Sequence, residues 1–168
     1  MRGIARAAGI TQAAIYHHFE SKDALYFAAL DHVYAGQAME MVTEASKETH
    51  PEARLAVAVR LLLETFDEDT RFRRLYLREL IEGDKARLQL LAEGVFGSLH
   101  QFLITLMQEL SPNGDAHLLV FDLSGVIMHH LEARELSALL SSGEPKHQDL
   151  NYLAEHIVSL FLHGVRSP

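Results

Sequence analysis

Residues 4–25 of the chain read IARAAGITQAAIYHHFESKDAL, and this stretch decides how the fold is interpreted. Its apolar residues recur every three to four positions, which is typical of helices. Gly9 interrupts the pattern and is suited to a left-handed helix end. Thr11 and Ser21 are suited to begin the next two helices, because their hydroxyls can cap free N–H groups of a first turn. The stretch therefore predicts two short helices joined by a tight turn, followed by the start of a third.

The second of these helices, predicted over 12–19, is too polar at its front to belong to a core. Gln12 and His17 offer hydrogen-bonding groups, and Ala13 is small enough to let a helix enter the major groove of DNA. Polar side chains that flank such a helix can reach the phosphates. The residues predicted to bind DNA are Thr11, Gln12, Ala13, Tyr16, His17, His18 and Lys22.

This stretch resembles the DNA-binding segment of the TetR family of transcriptional regulators. The family pattern is Ile-Ala, then Ala-Gly-(Val/Ile)-(Ser/Thr), then (Leu/Ile)-Tyr-x-(His/Tyr)-Phe, and finally Lys-(Glu/Asp)-x-Leu. Every element is present without a gap, at residues 4–5, 8–11, 15–19 and 22–25. The resemblance implies that Tyr16 and Lys22 contact phosphates. It also implies that Thr11, Gln12, Ala13 and His17 face the groove.

The resemblance implies an all-α homodimer in which the last two helices of each subunit form a four-helix interface. It further implies a ligand cavity between the middle helices, whose occupancy releases the protein from its double-stranded DNA operator. We therefore expect a DNA-binding transcriptional repressor that responds to a small, mostly apolar effector. Family members carry another helix before the position of Ile4, so we expect a partial helix-turn-helix that binds DNA weakly. The alternative is a ligand-sensing dimeric body with impaired DNA binding.

The remainder of the chain is predicted to be helical, because its apolar spacing stays at three to four. Gly, Pro, Asn and acidic clusters divide it into helices over 22–48, 51–66, 71–81, 85–110, 116–140 and 148–165. We expect a DNA-binding module with its connecting helix at 1–48, and a ligand-binding and dimerisation domain at 49–168. Residues 118–131 are apolar nearly all round, which indicates a buried subunit interface.

Composition and charge exclude several classes of protein. Apolar residues make up 48% of the 168 residues and charged residues 23%, which is typical of globular proteins. The chain has no cysteine and a net charge of −8, whereas residues 1–25 carry three cations against two carboxylates. No apolar run reaches the roughly 18 residues of a membrane span, and the N-terminus does not read as a signal peptide. We expect a cytoplasmic protein that does not enter membranes.

The middle helices carry aromatic and methionine residues at helical spacing, which more often form core than a binding site. Gly97 and Gly125 remove bulk from helices that are otherwise densely apolar, which favours a cavity beside them. The residues predicted to bind the ligand are Phe96, Leu99, His100, Leu103, Phe121 and Gly125. Arg71, Arg74 and Arg78 share one helical face. They could clamp an anionic ligand or simply form a solvated face with local ion pairs.

Neither a metal site nor an enzyme is predicted. His129 and His130, followed by Glu132 and Glu135, form the densest cluster of potential ligands, but Glu-x-x-His and His-Glu-x-x-His spacings are absent. No phosphate-binding loop, dinucleotide-binding glycine motif or Gly-x-Ser-x-Gly motif occurs. We expect no cofactor, no bound metal and no catalytic activity.

Overall fold

The computed structural model describes residues 1–164, apart from the side chains of residues 33–35. The described residues form helices and connecting turns without any strand, as the sequence predicts. The predicted end of the last helix at 165, and residues 165–168 of the predicted domain at 49–168, lie outside the described residues. The helices are α1 Arg2–Ala8, α2 Gln12–His18, α3 Lys22–Ala45, α4 Pro51–Glu68, α5 Thr70–Glu82, α6 Lys85–Leu90, α7 Gly97–Leu110, α8 Ala116–Glu132, α9 Arg134–Leu139 and α10 Leu150–His163.

The predicted end of α1 and the predicted starts of α2 and α3 are confirmed, whereas α2 and α3 end at His18 and Ala45 and not at the predicted 19 and 48. Gly9 ends α1 in the left-handed conformation, with φ at 68°. The Thr11 hydroxyl accepts a hydrogen bond from the Ala14 N–H at 3.1 Å, and the Ser21 hydroxyl accepts one from the Ala24 N–H at 2.9 Å. These caps satisfy N–H groups that have no partner inside a helix. The local sequence therefore sets where the first two helices begin and end.

The helix predicted over 85–110 is not continuous. A π-helical turn, Leu91–Val95, follows α6, and the two arms 85–95 and 97–110 are bent by 71°. Gly94 lies so close to α3 that an added methyl group would meet Oδ1 of Asp31 at 3.3 Å. The bend thus depends on a close approach between helices that periodicity does not reveal. No single described helix has the length and apolar character of a membrane span, although the two bent arms together reach both.

The helix predicted over 116–140 is likewise divided in two. α8 ends at Ala133, whose N–H bonds to the His129 carbonyl, and α9 begins immediately after it. Arg134 lies at the junction, where Nη1 donates to Oδ1 of Asp67 on α4 at 2.9 Å. Residues 145–148, predicted to start the last helix, form a separate 3₁₀ turn before α10. Contacts between distant segments therefore shorten helices that the sequence alone would continue.

The core is formed where α4 packs against α3, α7, α8 and α10. Its largest fully buried side chains include Leu55, Leu63, Leu106, Leu123 and Ile157. α3 is the element that extends from the DNA-binding segment into this core, because its far end buries Ala38, Met41 and Ala45 against it. α3 also packs against α6 and the π-helical turn. A displacement of those elements can therefore reach α3 directly.

Three histidines lie close together on α8 and α10. The ring centroids of His130 and His156 are 6.1 Å apart, and those of His129 and His130 are 6.4 Å apart. Burial, followed by the neighbouring His156 and His129, lowers the pKa of His130 below its ordinary value. The folded protein therefore disfavours the charged imidazole at this position.

This lowered pKa predicts a loss of stability in acid. The unfolded chain binds a proton at this histidine near an ordinary pKa of about 6.5, whereas the folded chain takes it up only at lower pH. The stability contributed by the neutral imidazole is fully present above the unfolded pKa of about 6.5. It is lost progressively as the pH falls from there towards the lower folded pKa. We expect a His130→Gln variant to lose less stability than the unmodified protein between about pH 7.5 and about pH 5.5 in urea melts. The exposed His50→Gln is the control, and an equal acid sensitivity in all three proteins would contradict the prediction.

Candidate functional site

The first candidate site is the exposed face of α2. Ile15 is buried and Phe19 is half-buried, so this side of α2 packs against the rest of the molecule. Ala13 and His17, one turn apart, project from the opposite side and are exposed. Tyr16 lies beside them and is 48% exposed. This face combines small, aromatic and hydrogen-bonding side chains on one side of a short helix, as entry into a groove requires.

The structure places the remaining predicted DNA-binding residues around that face. Gln12 is half-buried in the first turn of α2, and His18 is exposed at its far end, with its ring centroid 5.2 Å from that of His17. Lys22 is exposed at the first position of α3, beyond the end of α2. The Thr11 hydroxyl accepts the capping hydrogen bond, so capping is the role that the geometry shows for this side chain. Ile4 and Ile10 are also about half exposed on this module.

The second candidate site is a partly open cavity of about 460 Å³ lined by α4, α5, α6, the π-helical turn, α7 and α8. Its walls are mostly apolar, and its volume lies within the range of about 300–1,000 Å³ that small-molecule sites occupy. Phe66, Tyr76 and Phe96 form an aromatic cluster in the wall, with Tyr76 and Phe96 in edge-to-face contact at 5.2 Å. Burial raises the pKa of Tyr76, so its hydroxyl stays protonated and can donate a hydrogen bond. The other lining residues are Leu62, Leu80, Leu88, Leu91, Ala92, Leu99, His100, Leu103, His117, Val120, Phe121, Leu123, Ser124, Ile127 and Met128.

Five of the six residues predicted to bind the ligand line this cavity, namely Phe96, Leu99, His100, Leu103 and Phe121. Gly125 is not among the lining residues. It is exposed on another face of α8, where an added methyl group would meet no atom within 4 Å. Gly125 therefore faces open space, and its lack of a side chain does not make room for the cavity.

Three lining residues were not predicted from the sequence, namely His117, Ser124 and Leu80. His117, Phe121 and Ser124 are four and three positions apart on α8 and therefore share a face. That spacing could have added the first and last of them once Phe121 had been chosen. The row of Arg71, Arg74 and Arg78 does not line the cavity. Leu80 has no comparable signal, because its contribution depends on how α5 crosses α6.

An ion-pair cluster is built around one buried glutamate of α5, a helix that also lines the cavity. Glu79 of α5 is fully buried, although most buried residues of this protein are apolar. Arg78 donates to its Oε1 at 2.7 Å, and Nε of Arg87 on α6 lies 3.2 Å from its Oε2. Arg87 also pairs with Glu82. This cluster, Arg78–Glu79–Glu82–Arg87, fixes α5 to α6, and both helices carry cavity-lining residues.

The same cluster reaches the connecting helix α3. Arg78 of the cluster lies near the Tyr26 hydroxyl of α3. Burial raises the pKa of the Tyr26 hydroxyl, Arg78 opposes the rise and Glu79 adds to it. Tyr26 lies one helical turn after Lys22, the predicted phosphate contact. The charges of this cluster thus act on a side chain in the first turns of α3.

Within the described residues, no group of three or more histidine or acidic side chains is close enough together to hold a metal ion. His129 and His130, together with Glu132, were the densest candidates in the sequence. Oε1 of Glu132 instead accepts a hydrogen bond from Nε of Arg73 at 2.5 Å. This pair connects α8 to α5.

Residues 1–29 match the family described as bacterial regulatory proteins, tetR family. No curated protein sequence is significantly similar to the chain. Among solved structures, the transcriptional regulator FadR from Bacillus subtilis in complex with stearoyl-CoA is similar, with a TM-score of 0.73 and 16% identity. The match covers 97% of this chain and 87% of that one.

Two further structures show the same arrangement of helices. The fatty acid degradation regulator FadR from Bacillus halodurans has a TM-score of 0.70 and 18% identity, covering 98% of this chain and 84% of that one. A TetR-family transcriptional regulator from Bordetella parapertussis 12822 has a TM-score of 0.58 and 22% identity, covering 96% and 82%. These likenesses show the fold, a helix-turn-helix segment on a helical body.

Proposed function

We propose that this chain is a TetR-family regulator that represses transcription as a dimer and is released from DNA by an apolar effector. The observation that carries this proposal is the 460 Å³ apolar cavity, whose walls α5 and α6 are joined by the Glu79–Arg87 ion pair, while α6 also packs against α3. The FadR structure with stearoyl-CoA supports an effector with a long alkyl chain. The dimer would use the exposed faces of α8 and α10.

Repression requires α2 of each subunit to enter successive major grooves on one side of the DNA. Ala13 and His17 would meet base edges, while Tyr16 and Lys22 would contact phosphates on either side. The effector would act by favouring a dimer in which the two α2 helices are spaced wrongly for this purpose. Such a shift requires the effector to bind the DNA-free arrangement more tightly than the DNA-bound one.

The test is to select operator DNA from a random library with the full chain, and then to titrate the complex with dodecanoate and with dodecanoyl-CoA. We expect specific retention of selected DNA and its loss when one of these probes binds. A protein that binds a probe but retains no DNA would be a ligand-sensing body and would overturn the repressor proposal. A protein that retains DNA but binds neither probe would overturn the alkyl effector.

Lys22→Ala is expected to weaken binding to all DNA sequences by similar factors. Each lysine that contacts a phosphate releases about one counterion, so the slope of log K against log salt changes by about 0.9 per contact. A dimer loses two such contacts, and we expect the slope to become shallower by about two. Fluorescence anisotropy at several salt concentrations measures this slope.

Lys47→Ala is the matched control, because Lys47 is equally exposed but lies just beyond the far end of α3. Its substitution should leave the salt slope unchanged. A shallower slope for both variants would mean that Lys22 acts only through the net charge of the protein.

A further inference from the structure

The open side of the cavity carries two histidines that face one another. His100 of α7 is half-buried and His117 of α8 is exposed, and their ring centroids are 5.8 Å apart in an edge-to-face arrangement. The ring centroid of Phe121 lies 4.8 Å from that of His117 and 6.3 Å from that of His100. With 55% of its surface exposed, Phe121 marks the rim of the cavity. Two imidazoles therefore lie at the rim, between the apolar wall of the cavity and the solvent.

Both imidazoles lack a hydrogen-bonding partner among the described residues. Their ring nitrogens take part in no side-chain hydrogen bond or ion pair there, and only the backbone N–H of His100 is bonded, to the Phe96 carbonyl. The nearby Ser124 hydroxyl differs, because it donates to the Phe121 carbonyl at 2.9 Å. An imidazole carries one N–H donor when neutral and two when protonated. The rim thus offers at least two free donors directed by the same pair of helices.

The charge of the lining restricts what these donors can bind. The residues lining this cavity include no lysine, arginine, aspartate or glutamate. A ligand with several phosphates requires lysine or arginine, which bind phosphate through charge and multiple donors. A single carboxylate requires fewer donors than a polyphosphate, since one N–H of each imidazole can bind one of its two oxygens.

We propose that His100 and His117 bind the carboxylate of a free alkyl carboxylic acid whose chain fills the apolar cavity. This inference rests on the proposed function, because it names the chemical class of the effector for the same cavity. The histidine pair then distinguishes ligands by their head group. The apolar wall binds the alkyl chain similarly whichever head group it carries. A neutral ester or a thioester of coenzyme A gains the wall contacts but not the charge-assisted pair of hydrogen bonds.

The experiment compares dodecanoate, methyl dodecanoate and dodecanoyl-CoA by isothermal titration calorimetry with the full chain. We expect dodecanoate to bind at least about tenfold more tightly than either of the other two, as one charge-assisted hydrogen bond suffices for that factor. In a His100→Phe/His117→Phe variant the three affinities should become equal within about threefold. The variant should still bind methyl dodecanoate, which shows that the cavity is intact.

His50→Phe is the control, because His50 is exposed before α4 and does not line the cavity. It should keep the full preference for dodecanoate. Equal binding of all three probes by the unmodified protein, or tighter binding of dodecanoyl-CoA, would overturn the carboxylate proposal while leaving an apolar effector in place. Binding of none of the three would overturn the effector part of the proposed function as well.

Discussion

A Ser124→Trp variant is expected to remain on DNA at effector concentrations that release the unmodified protein. Ser124 lines the cavity from α8 and is partly buried between Val120 and Met128, two other lining residues. An indole side chain has a surface of about 150–250 Å² to bury, and the apolar cavity is the space available to it. The substituted side chain then occupies the volume that the effector needs.

The expected loss is larger than for any single contact, because the whole ligand is excluded. We expect the affinity for dodecanoate to fall by more than about a hundredfold, equivalent to about 2.7 kcal/mol. Calorimetry measures this loss, and anisotropy with operator DNA should show unchanged DNA affinity without effector. The thermal midpoint should not fall, since a filled cavity gains packing contacts.

Ser98→Trp provides the matched control. Ser98 is exposed at the start of α7 and does not line the cavity. Its substitution should leave effector binding and release from DNA unchanged. Normal binding of dodecanoate by Ser124→Trp would show that the effector binds elsewhere and would remove the cavity from the mechanism.

The parts of the fold that follow local rules were predictable from the sequence. Gly9 ends a helix because it accepts positive φ, and Thr11 begins one because its hydroxyl accepts an N–H. Both rules act within four residues, so neighbouring sequence is sufficient. The bend at residues 91–97 and the break at Ala133 were missed, because each depends on contacts with distant helices such as that between Gly94 and Asp31.

The candidate sites divide in the same way. The exposed face of α2 was predictable, since helical spacing alone places Ala13 and His17 together. The residues that line the cavity were predictable only in part. Phe72 and Phe96 are both aromatic residues at helical spacing on the middle helices, yet only Phe96 lines the cavity. The burial of Glu79 had no sequence signal, since a glutamate beside an arginine on a helix is usually solvated. Its environment depends on Arg87, eight residues further along, being brought back by the turn between α5 and α6.

A Glu79→Met/Arg87→Met double variant is expected to bind both effector and DNA but to respond weakly to the effector. Glu79 is flanked on α5 by the lining residues Tyr76 and Leu80, and Arg87 precedes the lining residue Leu88 on α6. We expect the pair to transmit the position of the cavity wall to Arg78, which lies near Tyr26 on α3. Replacing a buried ion pair with apolar side chains of similar size is often neutral for stability. The fold should therefore persist while the directional contacts are lost.

The coupling between two sites in a regulator typically changes affinity by about 5- to 150-fold. We expect the effect of dodecanoate on operator affinity to fall to about threefold or less in this variant, with direct dodecanoate binding retained. The control is Arg54→Met/Glu109→Met, which removes an ion pair with Nη1–Oε1 at 3.2 Å between α4 and α7 that is remote from the lining residues. This control should respond normally. If both double variants respond normally, the signal reaches α3 through the apolar contacts of the π-helical turn, and the buried carboxylate serves only to hold α5 against α6.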